Sequence, residues 1–451
     1  MDYEPFSIIE THNHVDVSHL ANVIIMLLVS QIRAEKEKVA AGLRKRAWSD
    51  DRIAVLDKVI ALDDDRKAVK TSMDESLADV NRISAEIGQL FKSGKAQEAN
   101  AKKEEVSAIK TTAKDLESRL KDIEAELLEA LYTIPNIPDE KVVHGTSELD
   151  NEVYQKWDSE IPALHSDAKP HWDLMEQYNM VDFKLGVKIT GAGFPLYRGK
   201  GAKLQRALIN FFIDEATAAG YEEIIPPLLV NEASGIGTGS LPDKEGQMYH
   251  CEKDDLYLIP TAEVPITNMY RGDIVSVDDF PIKLTGYTPC FRREAGSYGS
   301  DVKGLNRVHQ FDKIEIVQIQ HPEKSVDTLY EMMEHVKMLL SKLELPYRIL
   351  RLCGADLTFA SSLTYDFEVF AAAQEKWLEV SSVSNFKSYQ SNRMKLRYKD
   401  ENGKTQLAHT LNGSALALAR IFASILENHQ TDKGIVIPKA LRSYTGFDII
   451  E

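Results

Sequence analysis

Between Val69 and Leu90, apolar side chains recur at Val69, Met73, Val80, Ile83, Ile87 and Leu90, with Ser76 filling one step. The intervals alternate between three and four residues. A second run, Val106, Ile109, Ala113, Leu116, Leu120, Ile123 and Leu127, keeps the same alternation. That spacing holds one stripe of a helix against a partner and is the seam of a coiled coil. Ser93-Gly94-Lys95 separates the runs, and Pro135 and Pro138 close the second. Two seams joined by a glycine-containing turn predict an antiparallel helical hairpin. At 1.5 Å per residue each arm reaches roughly 40–50 Å. The plain reading of such a hairpin is a spacer or a dimerisation element. Its outer faces carry many basic residues, from Arg66 to Lys121, but carboxylates lie among them, so charge does not decide.

After Pro138 the pattern changes to short β-rich runs with glycines, prolines and helices between them. Gly201 to Ala219 has helical periodicity. Gly220 to Val230 reads as one strand, with Pro226 and Pro227 at its end or edge. Further strand-like runs fall at Leu256–Ile259, Gly286–Arg292, Lys313–Gln318, Tyr365–Phe370 and Lys376–Ser381. Hairpin-spaced strands with scattered helices predict an α+β domain, an antiparallel sheet flanked by helices. The expected division is an extension over residues 1–25 whose status the sequence leaves open, a helical arm over 26–135 and a second domain over 136–451. The extension contains His12, His14 and His19, but no cysteine or carboxylate stands at ligand spacing beside them.

Composition narrows the picture. Of 451 residues, 43% are hydrophobic and 27% charged, as in an ordinary soluble protein. The formal net charge of −16 repels a polyanion, so nucleic acid must be met by local basic patches. Cys251, Cys290 and Cys353 are widely separated, which fits a reducing cytoplasm and gives no zinc spacing. The apolar run Val23–Val29 is far short of the ~20 residues a membrane span needs, and no basic region precedes it. The expected location is therefore cytoplasmic, with no membrane partner. No G-x-G-x-x-G or Walker A run is present, so a nucleotide would not be held by either device.

The chemistry concentrates in Cys290-Phe291-Arg292-Arg293-Glu294-Ala295-Gly296 and in the run from Gly304 to Glu315. Arginines, an aromatic ring and glutamates are spaced as a strand, a loop and a returning strand. Guanidinium groups suit phosphate oxygens, a flat ring suits a base, and carboxylates suit an amine or a hydroxyl. This run resembles motif 2 of the class II aminoacyl-tRNA synthetases, and in detail the bacterial-type seryl-tRNA synthetase family. Three further islands follow the family order: Pro260-Thr261-Ala262-Glu263, Leu378 to Asn385, and His409 to Gln430. The helix and Pro226-Pro227 strand look like motif 1, which implies a homodimer. The hairpin looks like the arm with which the family grips its tRNA, recognition that depends on shape and backbone. Met26 onward resembles the family's usual beginning, which makes Met26 the expected start.

The resemblance implies roles residue by residue. Thr261, Ala262 and Glu263 would meet the α-amino group of serine, with Arg292, Glu315, Asn412 and Ser414 completing the L-serine site. Glu315 would receive the side-chain hydroxyl. Arg292 would contact both the α-phosphate and the serine carboxylate, and Arg307 and Arg420 would hold the distal phosphates; these three arginines are the expected catalytic residues. ATP would further meet Glu294 and Phe311 at its adenine, and Val308, Glu379, Val380, Ser381 and Ser382. Glu379 and Ser382 are the expected ligands of Mg²⁺ carried with ATP. Arg293 is grouped with the ATP-binding residues, yet the family more often has a small residue there. Alternation along a strand points its side chain away, and its role stays open.

The reaction implied is activation of L-serine by ATP to seryl-adenylate, then transfer to the terminal ribose of tRNA(Ser), with tRNA(Sec) a further candidate. Two other readings compete. A synthetase-like paralogue would charge a carrier or a small molecule, but has little use for a complete arm. A coiled-coil scaffold with a dead catalytic domain would need lost chemistry, yet every placed position is chemically competent.

Overall fold

The computed structural model describes residues 29–158, 161–243, 246–294 and 303–451. The readings of residues 1–25 and of Met26 lie outside the described residues. The chain forms two compact units, Ala61–Glu129 and residues 29–60 with Ala130–Glu451.

The smaller unit is the hairpin. It is made of α2 (Val55–Lys92) and α3 (Ala96–Tyr132), preceded in the chain by α1 (Lys36–Lys45). Val80, Ile83 and Val106 are buried together, with Ile87 and Ile109 packed against them. The other seam positions of this unit are buried or half-buried, and most positions between them face solvent. Gly94 turns the chain at φ +77°, a conformation that costs glycine little. Lys102 pairs with Glu86 across the turn, beside the Arg82–Glu86 contact at 3.2 Å.

The larger unit is built on one eight-stranded sheet. Its strands are β1 (Glu152–Lys156), β2 (Glu222–Glu223), β3 (Ile282–Phe291), β4 (Gln310–Gln320), β5 (Tyr347–Arg351), β6 (Leu363–Ala371), β7 (Lys376–Lys387) and β8 (His409–Ala417). The order is β1-β5-β6-β7-β8-β4-β3-β2, antiparallel throughout except that β2 runs parallel to β3. Helices α4 (Gly199–Ala218), α5 (Ser325–Lys342) and α6 (Leu418–Asn428) contribute to a large core with the sheet.

Period-two alternation on β4 decides what the two faces do. Ile314 and Ile316 enter that main core, and Gln318 accompanies them, donating to the Tyr221 hydroxyl at 2.8 Å. Lys313, Glu315 and Val317 point the other way. Val317 joins Ala262, Ile266 and Leu284 in a second cluster. The residues 29–60 are tied into this unit by Arg46, which donates to the carbonyls of Asn136, Leu357, Thr358 and Ser361. Burial lowers Arg46 to about 10, and those carbonyls offset part of the cost.

One predicted element needs correction. Gly220–Val230 is not a single strand: Glu222–Glu223 pairs with β3, and Leu229–Asn231 belongs to a separate three-stranded sheet. Pro226 and Pro227 offer no N–H to a ladder, so the chain leaves one sheet before it joins the other.

Candidate active site

On β4 the residues Phe311, Lys313 and Glu315 share a face at i, i+2 and i+4. Directly opposite Glu315 stand Ser414 on β8 and Gly286 on β3. A side chain at 286 would meet the Ile224 carbonyl at 2.7 Å and Ile266 at 2.8 Å, so glycine lets these segments pack closely beneath Glu315. Asn412 pairs with Ser384 of β7 and shares the face of Ser414. These strands line one side of a cleft of about 600 Å³.

At its floor Lys313 Nζ lies 2.7 Å from Glu315 Oε2, and both side chains are buried. Thr261 donates its hydroxyl to the same oxygen at 3.0 Å and accepts the Glu263 N–H at 3.2 Å. Gln390 donates to Glu263 at 2.6 Å and is itself fixed by the Thr410 hydroxyl at 2.7 Å. Burial, and then the charge of Glu315, push Glu263 up to about 7. The Asn412 amide is buried beside the Glu263 carboxylate and lowers its pKa slightly by a weak hydrogen bond, so this donor also faces the floor of the cleft.

The walls are cationic. Arg292 donates from Nε to the Pro260 carbonyl at 3.3 Å and sits 5.3 Å from the Phe311 ring centre. Arg307 pairs with Glu294 at 3.1 Å. Arg420 reaches from α6 to the carbonyls of Asn306, at 3.0 Å, and Glu379, at 2.6 Å. The Glu379 carboxylate stays half-exposed, 3.8 Å from Arg420. Beneath it Asp366 is held well above its ordinary range by burial and by Glu379, and it accepts the Ser382 hydroxyl. Ser381 donates to the Ser414 carbonyl at 2.5 Å.

Thr261, Glu263, Arg292, Glu294, Arg307, Val308, Phe311, Glu315, Glu379, Val380, Ser381, Ser382, Asn412, Ser414 and Arg420 all line this one cleft. Two sequence-predicted residues do not. Ala262 is buried among Ile266, Leu284 and Val317, so its methyl group packs rather than lines. Arg293 is exposed and lies over the Tyr249 ring, 5.5 Å from its centre. Sequence reasoning assigned no role to Lys313, although a lysine two residues before Glu315 on an apolar strand carried the signal. Gln390 had none: its partners are 127 and 20 residues away.

An acidic floor beside three arginines can accept a small ammonium-bearing acid on one side and a polyphosphate on the other. Comparisons with known proteins agree. Residues 26–138 match the seryl-tRNA synthetase N-terminal domain, and residues 248–429 match the tRNA synthetase class II core domain (G, H, P, S and T). A serine–tRNA ligase of Salinibacter ruber is 46% identical over 425 residues, covering 94% of this chain and 98% of that protein. One of Chlorobaculum parvum is 44% identical over 429 residues, covering 94% and 100%. The crystal structure of the Pyrococcus horikoshii seryl-tRNA synthetase, complexed with ATP, superposes with a TM-score of 0.85 at 33% identity, covering 94% of this chain and 98% of that one. The cytoplasmic serine–tRNA ligase of Naegleria fowleri, in complex with AMP, gives 0.81 at 26% identity over 92% and 96%. The chain belongs to the seryl-tRNA synthetase family of class II aminoacyl-tRNA synthetases.

Proposed function

We propose that the protein activates L-serine with ATP and then esterifies the terminal ribose of tRNA(Ser). The observation that carries this reading is the buried Lys313–Glu315–Thr261 group placed in the same cleft as Arg292, Arg307 and Arg420. The serine hydroxyl donates to Glu315, and its ammonium group is met by Glu263 and Thr261. Asn412 and Ser414 close the pocket around the side chain. Lys313, 2.7 Å from Glu315, orients its carboxylate as an acceptor in the pocket.

A serine carboxylate oxygen attacks the α-phosphorus and pyrophosphate leaves, giving seryl-adenylate. The carboxylate is already a nucleophile, so orientation and charge neutralisation supply most of the rate. Arg292 bridges the carboxylate and the α-phosphate, while Arg307 and Arg420 hold the distal phosphates. Glu294 and Phe311 receive the adenine. The ribose hydroxyl of tRNA then attacks the acyl carbon and AMP leaves.

Among the described residues no cluster of three or more His, Cys, Asp or Glu could hold a metal by itself. Glu379 and Ser382 are a two-oxygen hard donor set, which fits Mg²⁺ arriving on phosphate oxygens. When bound, that ion neutralises phosphate charge. The side chains of this chain would orient it from Glu379 and Ser382, with Asp366 fixing the Ser382 hydroxyl.

We assign tRNA recognition to the arm of residues 26–135 and catalysis to 136–451, in a cytoplasmic homodimer. Ile225 is 88% exposed, and Met269 and Ile274 are about half-exposed. A partner subunit over the motif 1 unit would cover Ile225, which stands beside Pro226. The testing experiment is charging of purified tRNA(Ser) and tRNA(Sec) with labelled serine. Serine ester on tRNA(Ser) is expected; charging of neither defeats the reading, and charging of tRNA(Sec) extends it.

A further inference from the structure

A buried polar group lies behind the arginines and takes no part in the scheme above. His171 and Glu427 are both fully buried, and His171 Nδ1 is 2.7 Å from Glu427 Oε1. The same oxygen accepts the His171 backbone N–H at 3.0 Å and the Gln374 amide at 2.7 Å, and Oε2 accepts the Ala373 N–H at 3.2 Å. Four N–H donors compensate the buried carboxylate.

The other ring nitrogen looks toward the cleft. Leu305 N–H donates to His171 Nε2 at 2.9 Å, which fixes the neutral Nδ1–H tautomer. Gly304, at φ +65°, permits this approach: a Cβ there would sit 2.2 Å from Nε2. Next in the chain, Asn306 donates its amide to Gln374 at 2.9 Å and offers its carbonyl to Arg420 at 3.0 Å. Arg307 follows. One buried group on α6 therefore holds the segment that carries Arg307 and seats Arg420.

We propose that His171 is a positioning residue for ATP, clamping Leu305 and Asn306 to Glu427 of α6 so that Arg307 and Arg420 converge. The proposal rests on the ATP-dependent reading of the cleft. It places no reacting atom near His171, whose effect is carried entirely by backbone geometry.

Two isosteres separate the halves of the clamp. His171→Gln can present an acceptor near the Nε2 position, keeping Leu305 while losing the Nδ1 donor. His171→Asn can keep the donor to Glu427 while losing the acceptor for Leu305. Hydrogen exchange of peptides containing Leu305 is measured beside ATP and serine KM in pyrophosphate exchange, with Tm as a control. His171→Asn should lose protection at Leu305 and raise ATP KM about tenfold, leaving serine KM within about twofold. His171→Gln should retain both. Gln374→Ala, at a half-buried position, should raise ATP KM in the same sense if the histidine variants fail to fold. Equal protection in both histidine variants, or a Tm loss shared by all variants with ATP KM unmoved, overturns the proposal. If the wild-type protein shows no exchange activity, the function proposed above fails, and Leu305 protection alone decides the clamp.

Discussion

Lys313 Nζ stands 2.7 Å from Glu315 Oε2, an ion pair held at the floor of the cleft by two side chains that are almost fully buried. Two desolvated charges of this kind bind each other strongly, and removing either strands the other. Lys313→Met should therefore cost about 3–5 kcal/mol of stability and weaken serine. Glu315→Ala should raise serine KM far more than ATP KM. Equal losses for both substrates would mean that Glu315 does not face the amino acid.

Glu263 gives a pH signature. Its folded value of about 7 exceeds the ordinary 4.5 because of burial and then Glu315. Between those limits the folded chain binds more proton than the unfolded one, so stability falls as pH rises from 4.5 to 7. Glu263→Gln should stabilise the serine-free protein by about 1–3 kcal/mol at pH 8, a gain that vanishes toward pH 4.5. Serine KM should rise below pH 7 as the carboxylate loses its charge for the ammonium group. Urea midpoints at both pH values check the first point; a pH-independent gain contradicts it.

Among the described residues Arg420 meets two carbonyls and, at 3.8 Å, the Glu379 carboxylate, contacts it can exchange for phosphate. Arg420→Ala should lower kcat/KM for ATP by roughly 10²–10³-fold, the scale of a lost charge-stabilising donor. Serine KM should change little. Pyrophosphate exchange at varied ATP reads this directly.

The unit Ala61–Glu129 is compact on its own. Replacing it by a short Gly/Ser turn should leave serine-dependent pyrophosphate exchange near the wild-type rate and reduce tRNA(Ser) charging at least about 100-fold, a loss of roughly 3 kcal/mol of recognition. A parallel loss of both activities would show that the unit also supports catalysis.

The arm was legible because its seam is local. Val80, Ile83 and Ile87 on one helix, and Val106 and Ile109 on the other, follow three- and four-residue steps, and packing buries them wholly or in part. The strands Lys313–Gln318 and Tyr365–Phe370 lie inside longer observed strands; the second alternates buried and half-buried positions, while the first is buried on both faces. Lys313 was legible in principle, by alternation from Glu315. Gln390 and the His171–Glu427 pair were not. That pair joins residues 256 positions apart, and no spacing along the chain encodes a contact made by sheet and helix packing. Pro226 and Pro227 signalled a strand end, but where the chain went next depended on which edge was free.

The central claim is serine activation, and the most direct test is ATP–pyrophosphate exchange by the purified protein without tRNA. Serine, alanine, threonine and cysteine are run in parallel. A pocket built around a hydroxyl bond to Glu315 should reject alanine by roughly 10⁴-fold, with threonine excluded by size. Strong exchange with serine alone is the predicted result. Exchange with none of the four, or equal exchange with alanine, would contradict the account.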